Sequence, residues 1–451
     1  MAIDPAVVSG AKLLIQRCLG LTRGQSLLIF ADETTSEIAS IIAASAEDLS
    51  VQSTIIFIPV SLQHRIPNEI DLSLLAQGAA KEARAILTCV NSSAECLPFR
   101  ERILETQWSA RTRIGHMPGA NRKVLQLANV DFNKLIADCH NLEIALARGK
   151  TMELVSQAHD DTLHRLQVDI GGWERLPVAS DGIISDGVWG NVPSGETYIA
   201  PIEGSAEGSV VINGSIPGLI VKRSEQIVLH FKSGRLSHIE PDNNRTAQFL
   251  QEKQIKRALD VGDKNWRNLA EIGIGQNPAV NRLTGNMLFD EKAAGTAHIA
   301  LGSNSFMGGK IDSVIHCDMV IKSPTIMVDG KTILKKGRLH FIESDWREAY
   351  SNITLSGSPL QTAVSVARSG TDTSLQNQTL SRILRPEPGR VSTCAVGNEE
   401  TSRLAHDIYS LLPRDGEWIE VKDLFSNNSM DPDVMRRVLH LIWEHGLIKY
   451  R

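Results

Sequence analysis

Five side chains of metal-ligating type sit in four short segments punctuated by glycine: Glu196, Glu271, His298, His316 and Asp318. In 314–321 (VIHCDMVI), His316 and Asp318 are two residues apart. On a strand both point to one face and Cys317 to the other, which makes a two-pronged arm for a metal. In 296–302 (TAHIALG), His298 shares a face with Ala300, small enough to leave room for a ligand, while Ile299 and Leu301 pack opposite. In 269–275 (LAEIGIG), Glu271 has only Gly273 and Gly275 beyond it on its face, so its surroundings stay open. In 191–201 (NVPSGETYIAP), Glu196 lies in a turn bounded by proline and glycine that opens a strand.

Three carboxylates and two imidazoles form the ligand set of borderline divalent ions such as zinc, cobalt, manganese or iron(II). Their charge favours a pair of ions. Two divalent cations against three carboxylates leave a residual positive charge that suits a hydroxide nucleophile at neutral pH. Each residue alone has an ordinary structural reading. A buried histidine is commonly a hydrogen-bonded core residue, and a glutamate in a turn is commonly solvated. Glu271 is harder to dismiss, because a carboxylate inside an apolar strand needs a partner. The expectation is that all four segments meet at one point.

The elements that must position these groups read as follows. From residue 10 to about 145, helical periodicity (11–19, 35–46) alternates with short apolar runs at 26–30 (SLLIF), 53–59 (STIIFIP) and 85–90 (AILTCV). Apolar strands separated by helices imply a parallel sheet covered on both faces. We therefore expect an α/β N-terminal doubly wound domain over 1–150. It has no GxGxxG phosphate loop after its first strand, so nucleotide binding is not indicated. From 151 to 365 glycine becomes frequent and strand-like alternation dominates, with one helix near 244–258 and a hairpin turn at Gly234-Arg235. This is an α+β metal-site domain rich in antiparallel strands. A polar stretch, 366–395, reads as a linker. The remainder, 396–451, reads as a winged-helix-like module with helices at 400–412 and 431–445, the second opened by Asp431-Pro432.

Bulk properties narrow the function classes. At 451 residues with 42% hydrophobic and 22% charged residues, the chain has the composition of a soluble protein of two or three domains. A net charge of -5 argues against a general binder of nucleic acid or anionic membranes. The C-terminal module carries ten acidic residues against seven lysines and arginines, with Arg436 and Arg437 alone on its second helix, so phosphate-driven DNA binding would be weak. A peptide- or protein-docking role, or dimer support, fits that module better. No run of about 18 apolar residues occurs, and the N-terminus reads as an amphipathic helix instead of an export signal. Six dispersed cysteines without CxxC pairs suit a reduced, cytoplasmic setting.

At NVPSGETYIAP, LAEIGIGQNP, GNMLFDEKAAGTAHIALG and the downstream HCD, the sequence resembles the aminopeptidase T / AmpS family of metalloaminopeptidases. The match is dense from about 185 to 335, and FKSGRLSHIE also looks like a family segment. The α/β half is similar in layout only, and the last 55 or so residues have no counterpart in the typical peptidase. The resemblance implies a two-metal site, a homodimer enclosing a cavity, and release of N-terminal residues from short peptides. It places Glu196, Glu271, His298, His316 and Asp318 on the family's ligand positions and Asp290-Glu291-Lys292 on an acidic segment of DEN type. One departure stands out: where the peptidases carry a tyrosine after the HIALG turn, this chain reads Ser303, Asn304, Ser305, Phe306. Loss of a hydroxyl that steadies an oxyanion typically costs about two to three orders of magnitude in rate. The resemblance extends to a ring-opening 2,5-dihydroxypyridine dioxygenase that uses one iron(II), so one fold hosts different chemistry.

The expected function is therefore a metallohydrolase cleaving a peptide or small amide bond, with Glu271 or Glu196 carrying the proton. The alternatives are a mononuclear iron(II) enzyme using His298, His316 and Asp318, and a non-catalytic binding protein with a degenerate site. Asp160-Asp161-Thr162 reads equally as a cavity border or a helix cap, Lys310 as a binder of a substrate carboxylate or, the better fit, a solvated lysine, and Arg111 and Arg113 are assigned no role.

Overall fold

The computed structural model describes residues 3–340 except 64–72, 93–95, 97–98, 100–111, 172–174, 176, 185–188 and 308, plus three short strands beyond 340. In chain order the first strands are β1 (Ser26–Ala31), β2 (Gln52–Phe57), β3 (Ala85–Thr88), β4 (Arg113–His116), β5 (Thr151–Gln157), β6 (Leu163–Asp169), β7 (Val178–Ser180), β8 (Trp189–Asn191), β9 (Glu196–Ile199) and β10 (Glu207–Ile212). There follow β11 (Ser215–Ile216), β12 (Leu219–Ile220), β13 (Ile227–Lys232), β14 (Arg235–Glu240), β15 (Leu269–Gly275), β16 (Thr296–Gly302), β17 (His316–Lys322), β18 (Thr325–Val328), β19 (Lys331–Lys335) and β20 (Arg338–Leu339).

The apolar runs of the first third become a parallel sheet of order β2-β1-β3-β4-β8. Successive residues of β1 feed opposite cores. Leu27, Ile29 and Ala31 join the helices Pro5–Leu13 and Ser36–Asp48 on one face, and Leu28 and Phe30 join the helix Leu74–Glu82 on the other. Covering both faces is what makes the central strands β1 and β3 apolar almost throughout, whereas the edge strand β2 is partly exposed. The edge strand β8 comes from beyond residue 150, so the sheet draws on chain that the sequence pattern assigns to the second domain.

Two antiparallel sheets build the rest. One has eight strands, β14-β13-β10-β6-β5-β18-β19-β20; the other has five, β17-β16-β15-β9-β7. Alternation along the five-stranded sheet divides its faces. Ile272, Ile274, Ala297, Ile299, Leu301, Cys317, Met319 and Ile321 enter one large core with Leu154, Leu166, Val210, Leu229 and Ile326 of the eight-stranded sheet. The helix Phe132–Arg148, N-capped by the Asp131 side chain, adds Leu142 and Leu146 to that core. The helix expected near 244–258 forms over 245–260 as Arg245–Phe249, N-capped by Asn244, a π-helical turn at Leu250–Gln254 and, after a bend at Ile255, Lys256–Asp260. The hairpin between β13 and β14 turns at Ser233 and Gly234, both at positive φ, with Arg235 already in β14.

Among the described residues no helix is long and apolar enough to cross a membrane. The expected helices at 400–412 and 431–445 lie outside the described residues. What is described there is a small antiparallel sheet in which Arg382–Leu384, inside the stretch read as a linker, pairs with Ile419–Glu420 and with Lys449–Tyr450.

Candidate metal centre

The polar face of the five-stranded sheet gathers all five candidate residues. Neighbouring strands place His298 opposite Gly273, Asp318 opposite Ala300, His316 opposite Gly302 and Glu196 opposite Gly275. Each of these side chains thus has, on at least one neighbouring strand, a residue too small to crowd it; His298 also faces Val320 on its other side. At two of these positions glycine is required by close approach. A Cβ on Gly273 would lie 2.1 Å from His298 Nε2, and one on Gly275 would lie 2.3 Å from the Ala293 carbonyl oxygen.

Glu271 keeps the face that alternation gives it with Gly273 and Gly275, but Leu269, two residues before it, does not. The register between β15 and β16 shifts between Leu269 and Glu271, a bulge that sends Leu269 into the apolar core while Glu271 stays on the polar face. There its two oxygens face two imidazoles: Oε1 is 3.2 Å from His298 Nε2 and Oε2 is 3.1 Å from His316 Nε2. Asp318 Oδ1 lies 3.4 Å from the same His316 nitrogen, and Glu196 Oε2 lies 3.8 Å from His298 Nε2. One ligand atom from each of Glu271, His298 and Asp318 falls within 4.8 Å of the others.

The orientation of His316 is set from behind. Its Nδ1 donates to the Ser303 carbonyl at 2.8 Å, which turns Nε2 toward the carboxylates. A histidine whose far nitrogen is tied to a carbonyl presents the other one as a metal ligand. Ser303 belongs to the stretch that replaces the tyrosine expected from the resemblance; Asn304 beside it is buried and holds Glu203 and the backbone of Ile311. Tyr198 is on the face of Glu196, two residues along β9 and opposite Gly273, buried with Val178, Ala200 and Met307.

Without a cation the cluster is electrostatically unfinished. Burial alone would lower the imidazole pKa values and raise that of Glu271. Their mutual contacts outweigh it, lifting His298 to about 9 and His316 well above its usual range, and holding Glu271 down at about 2. Even so, Glu196 Oε2 and Asp318 Oδ1 are buried lone pairs without a hydrogen-bond partner among the described residues. Such orphaned acceptors, facing two imidazole nitrogens, fit a divalent ion.

Two further residues of this cluster were not assigned roles by the sequence reading. The helix Met287–Asp290 and its continuation deliver Glu291 and Lys292. Lys292 is 0% exposed; its Nζ is 3.0 Å from Glu196 Oε1 and in close contact with Glu291. Burial would lower its pKa, but the two carboxylates more than offset this and keep the ammonium charged. Asp290 does not join the site. It accepts from the backbone amides of Thr284 and Gly285 and from the hydroxyls of Thr284 and Ser215, and so fastens the loop that carries Lys292. The charge balance drawn from three carboxylates had included neither Glu291 nor Lys292.

The secondary candidates lie elsewhere. Asp160 and Asp161 form the exposed turn between β5 and β6, where Asp160 accepts from Thr162. Arg113 donates to the carbonyls of Leu19 and Gly20 in the first sheet's surroundings, and Arg111 is outside the described residues. Lys310 is exposed, with its backbone amide on Glu203. A separate group, His230, His238 and Glu240, lies partly exposed on the β13–β14 hairpin with its imidazoles stacked 4.0 Å apart.

Residues 180–344 match the family model of the thermophilic metalloproteases (M29), a span that holds every residue of the cluster. No curated protein matches the chain. Two solved structures share the fold. A 2,5-dihydroxypyridine dioxygenase from Pseudomonas putida KT2440 superposes with a TM-score of 0.58 at 19% identity, covering 76% of this chain and all (100%) of its own. AmpT from Thermus thermophilus superposes with a TM-score of 0.53 at 18% identity, covering 75% of this chain and 100% of its own.

Proposed function

We propose that this chain is a metal-dependent hydrolase that cleaves an amide bond of a peptide or small amide substrate. The observation that carries the reading is the pairing of two imidazole Nε2 atoms with the Glu271 carboxylate beside the unsatisfied Asp318 oxygen. The metalloprotease family match over the same residues supports it. A divalent ion held by Glu271, His298, His316 and Asp318 would supply Lewis acidity, polarising the scissile carbonyl and activating a water.

The chain's own residues then divide the remaining work. Glu271 lies between the two imidazoles with an oxygen toward each, so it would be taken up as a ligand of the ion and is not free to carry a proton. Glu196 has one oxygen anchored by Lys292 and the other without a partner. It is the group placed to take a proton from water and return it to the leaving amine. The Ser303 carbonyl holds the His316 ring in register throughout. Within the same reading the protein is a cytosolic homodimer, and its C-terminal module docks a peptide or protein partner.

A second reading is a single-ion iron(II) enzyme of specialised metabolism. Lys292 is compatible with it, because the ammonium occupies Glu196 and Glu291 and leaves His298, His316 and Asp318 for one ion. Protein purified without chelator and screened on short peptides and amino-acid anilides separates the two. Hydrolysis that disappears on chelation and in Glu196→Gln supports the first reading. Oxygen uptake with ferrous iron on dihydroxylated aromatic substrates, without hydrolysis, replaces it with the second.

A further inference from the structure

We infer that the Lys292 ammonium stands in for a metal ion, so that a cluster with the carboxylates for two cations binds a single divalent ion on its Glu271, His298 and Asp318 side. This rests on the reading that the cluster takes metal at all, and it assigns Glu196 and Glu291 to the lysine instead of to a second ion.

The cluster has two poles. At one, Glu271 and Asp318 face His298 and His316 through lone pairs that a metal can use. At the other, Glu196 and Glu291 converge on Lys292 Nζ. The ammonium does electrostatically what a cation there would do: it sits between two carboxylates and offsets their charge. It differs in valence and in chemistry, since it donates hydrogen bonds and has no lone pair to offer a metal. A divalent ion brought to the same carboxylates would have to displace it, or lie a few ångströms from it. A divalent ion that close to a buried ammonium would be strongly repelled, because the protein interior screens charge far less than water does.

Nor can the lysine readily swing away. It is wholly buried, and an ammonium moved out of contact with its carboxylates inside the protein is strongly disfavoured. Its backbone is fixed on both sides. The Lys292 carbonyl accepts from the Asn277 amide at 2.8 Å, the Ala294 amide donates to the Asn277 carbonyl at 3.1 Å, and Asp290 ties down the preceding turn. Lys292 is therefore a built-in cation.

The test counts zinc. Metal-free protein carrying His230→Ala and His238→Ala, which removes the exposed histidine pair from the count, is titrated with zinc chloride by calorimetry and native mass spectrometry. One tightly bound equivalent is expected. The further substitution Lys292→Asn removes the charge and shortens the side chain, and two equivalents are then expected. Two equivalents with Lys292 in place overturn the inference and leave the metal-site reading standing; none overturns both. A folded Lys292→Asn protein that still binds one equivalent also overturns the inference. Should that variant fail to fold, the count with Lys292 in place decides.

Discussion

Gly273 lies directly across the β15–β16 pair from His298, with so little space between them that the imidazole occupies the volume a Gly273 side chain would need. The ring stands where it does because its neighbour has no side chain. Gly273→Ala should push His298 off its position. The expected cost is about 1–3 kcal/mol in stability from overpacking and about a 10- to 100-fold loss of zinc affinity, by analogy with displaced ligand support. Denaturant melts and a zinc titration check this. Wild-type affinity in the variant would mean that His298 is not a ligand.

Glu271→Gln keeps the shape but removes the negative charge between His298 and His316. Zinc affinity should fall by at least about 100-fold and hydrolytic activity should vanish with it. In the metal-free variant, the His298 imidazole should titrate well below its value of about 9, which NMR of the ring protons would follow.

A second buried histidine gives a pH prediction away from the metal cluster. His140 Nδ1 is 2.8 Å from Glu143 and its Nε2 is 3.5 Å from Asp181. Burial would lower its pKa, yet the hydrogen bonds and charges of Asp181 and Glu143 raise it to about 9. A group whose pKa is higher folded than unfolded contributes stability that is complete below the unfolded value, near 6.5, and is lost as pH rises through about 9. Stability should therefore decline across that window by up to about 3 kcal/mol from this residue. His140→Gln should flatten the decline, as measured by denaturant unfolding at several pH values.

Asp290 is the fastening of the loop that brings Lys292 to Glu196. Asp290→Asn loses charge-assisted bonds to the Thr284 and Gly285 amides and should cost about 2–3 kcal/mol. Because it touches no metal-ligating side chain, the apolar core should remain intact. What should change is Lys292, whose altered placement would show as a shifted zinc count.

Much of the site was legible because strand alternation is a strict geometric rule. His316 and Asp318 on one face, Cys317 in the core, and Ile299 and Leu301 opposite His298 follow from period two alone. Gly273 and Gly275 on the face of Glu271, and Ala300 on that of His298, were visible as well; which ligand each would face across the sheet was not. Nor was the bulge between Leu269 and Glu271, because a register shift depends on the partner strand and leaves no mark on the local pattern. Lys292 was illegible for a different reason. A lysine in a charged triplet reads as solvated, and only the tertiary approach of Glu196, 96 positions earlier, makes it the buried cation of the cluster. In the first sheet, the helix–strand rhythm announced parallel strands, but the edge strand β8 is too short and too far along the chain to be read as part of it.

That edge strand binds the halves of the molecule more tightly than their separate cores suggest. Residues 189–191 finish the parallel sheet, and five positions later Glu196 opens β9 beneath the metal-ligating cluster. Cutting the gene near codon 150 would strip one fragment of its last strand and leave the other with a raw, unpaired ribbon just upstream of its proposed proton carrier. The two halves should be purified, crystallised and engineered as a single piece.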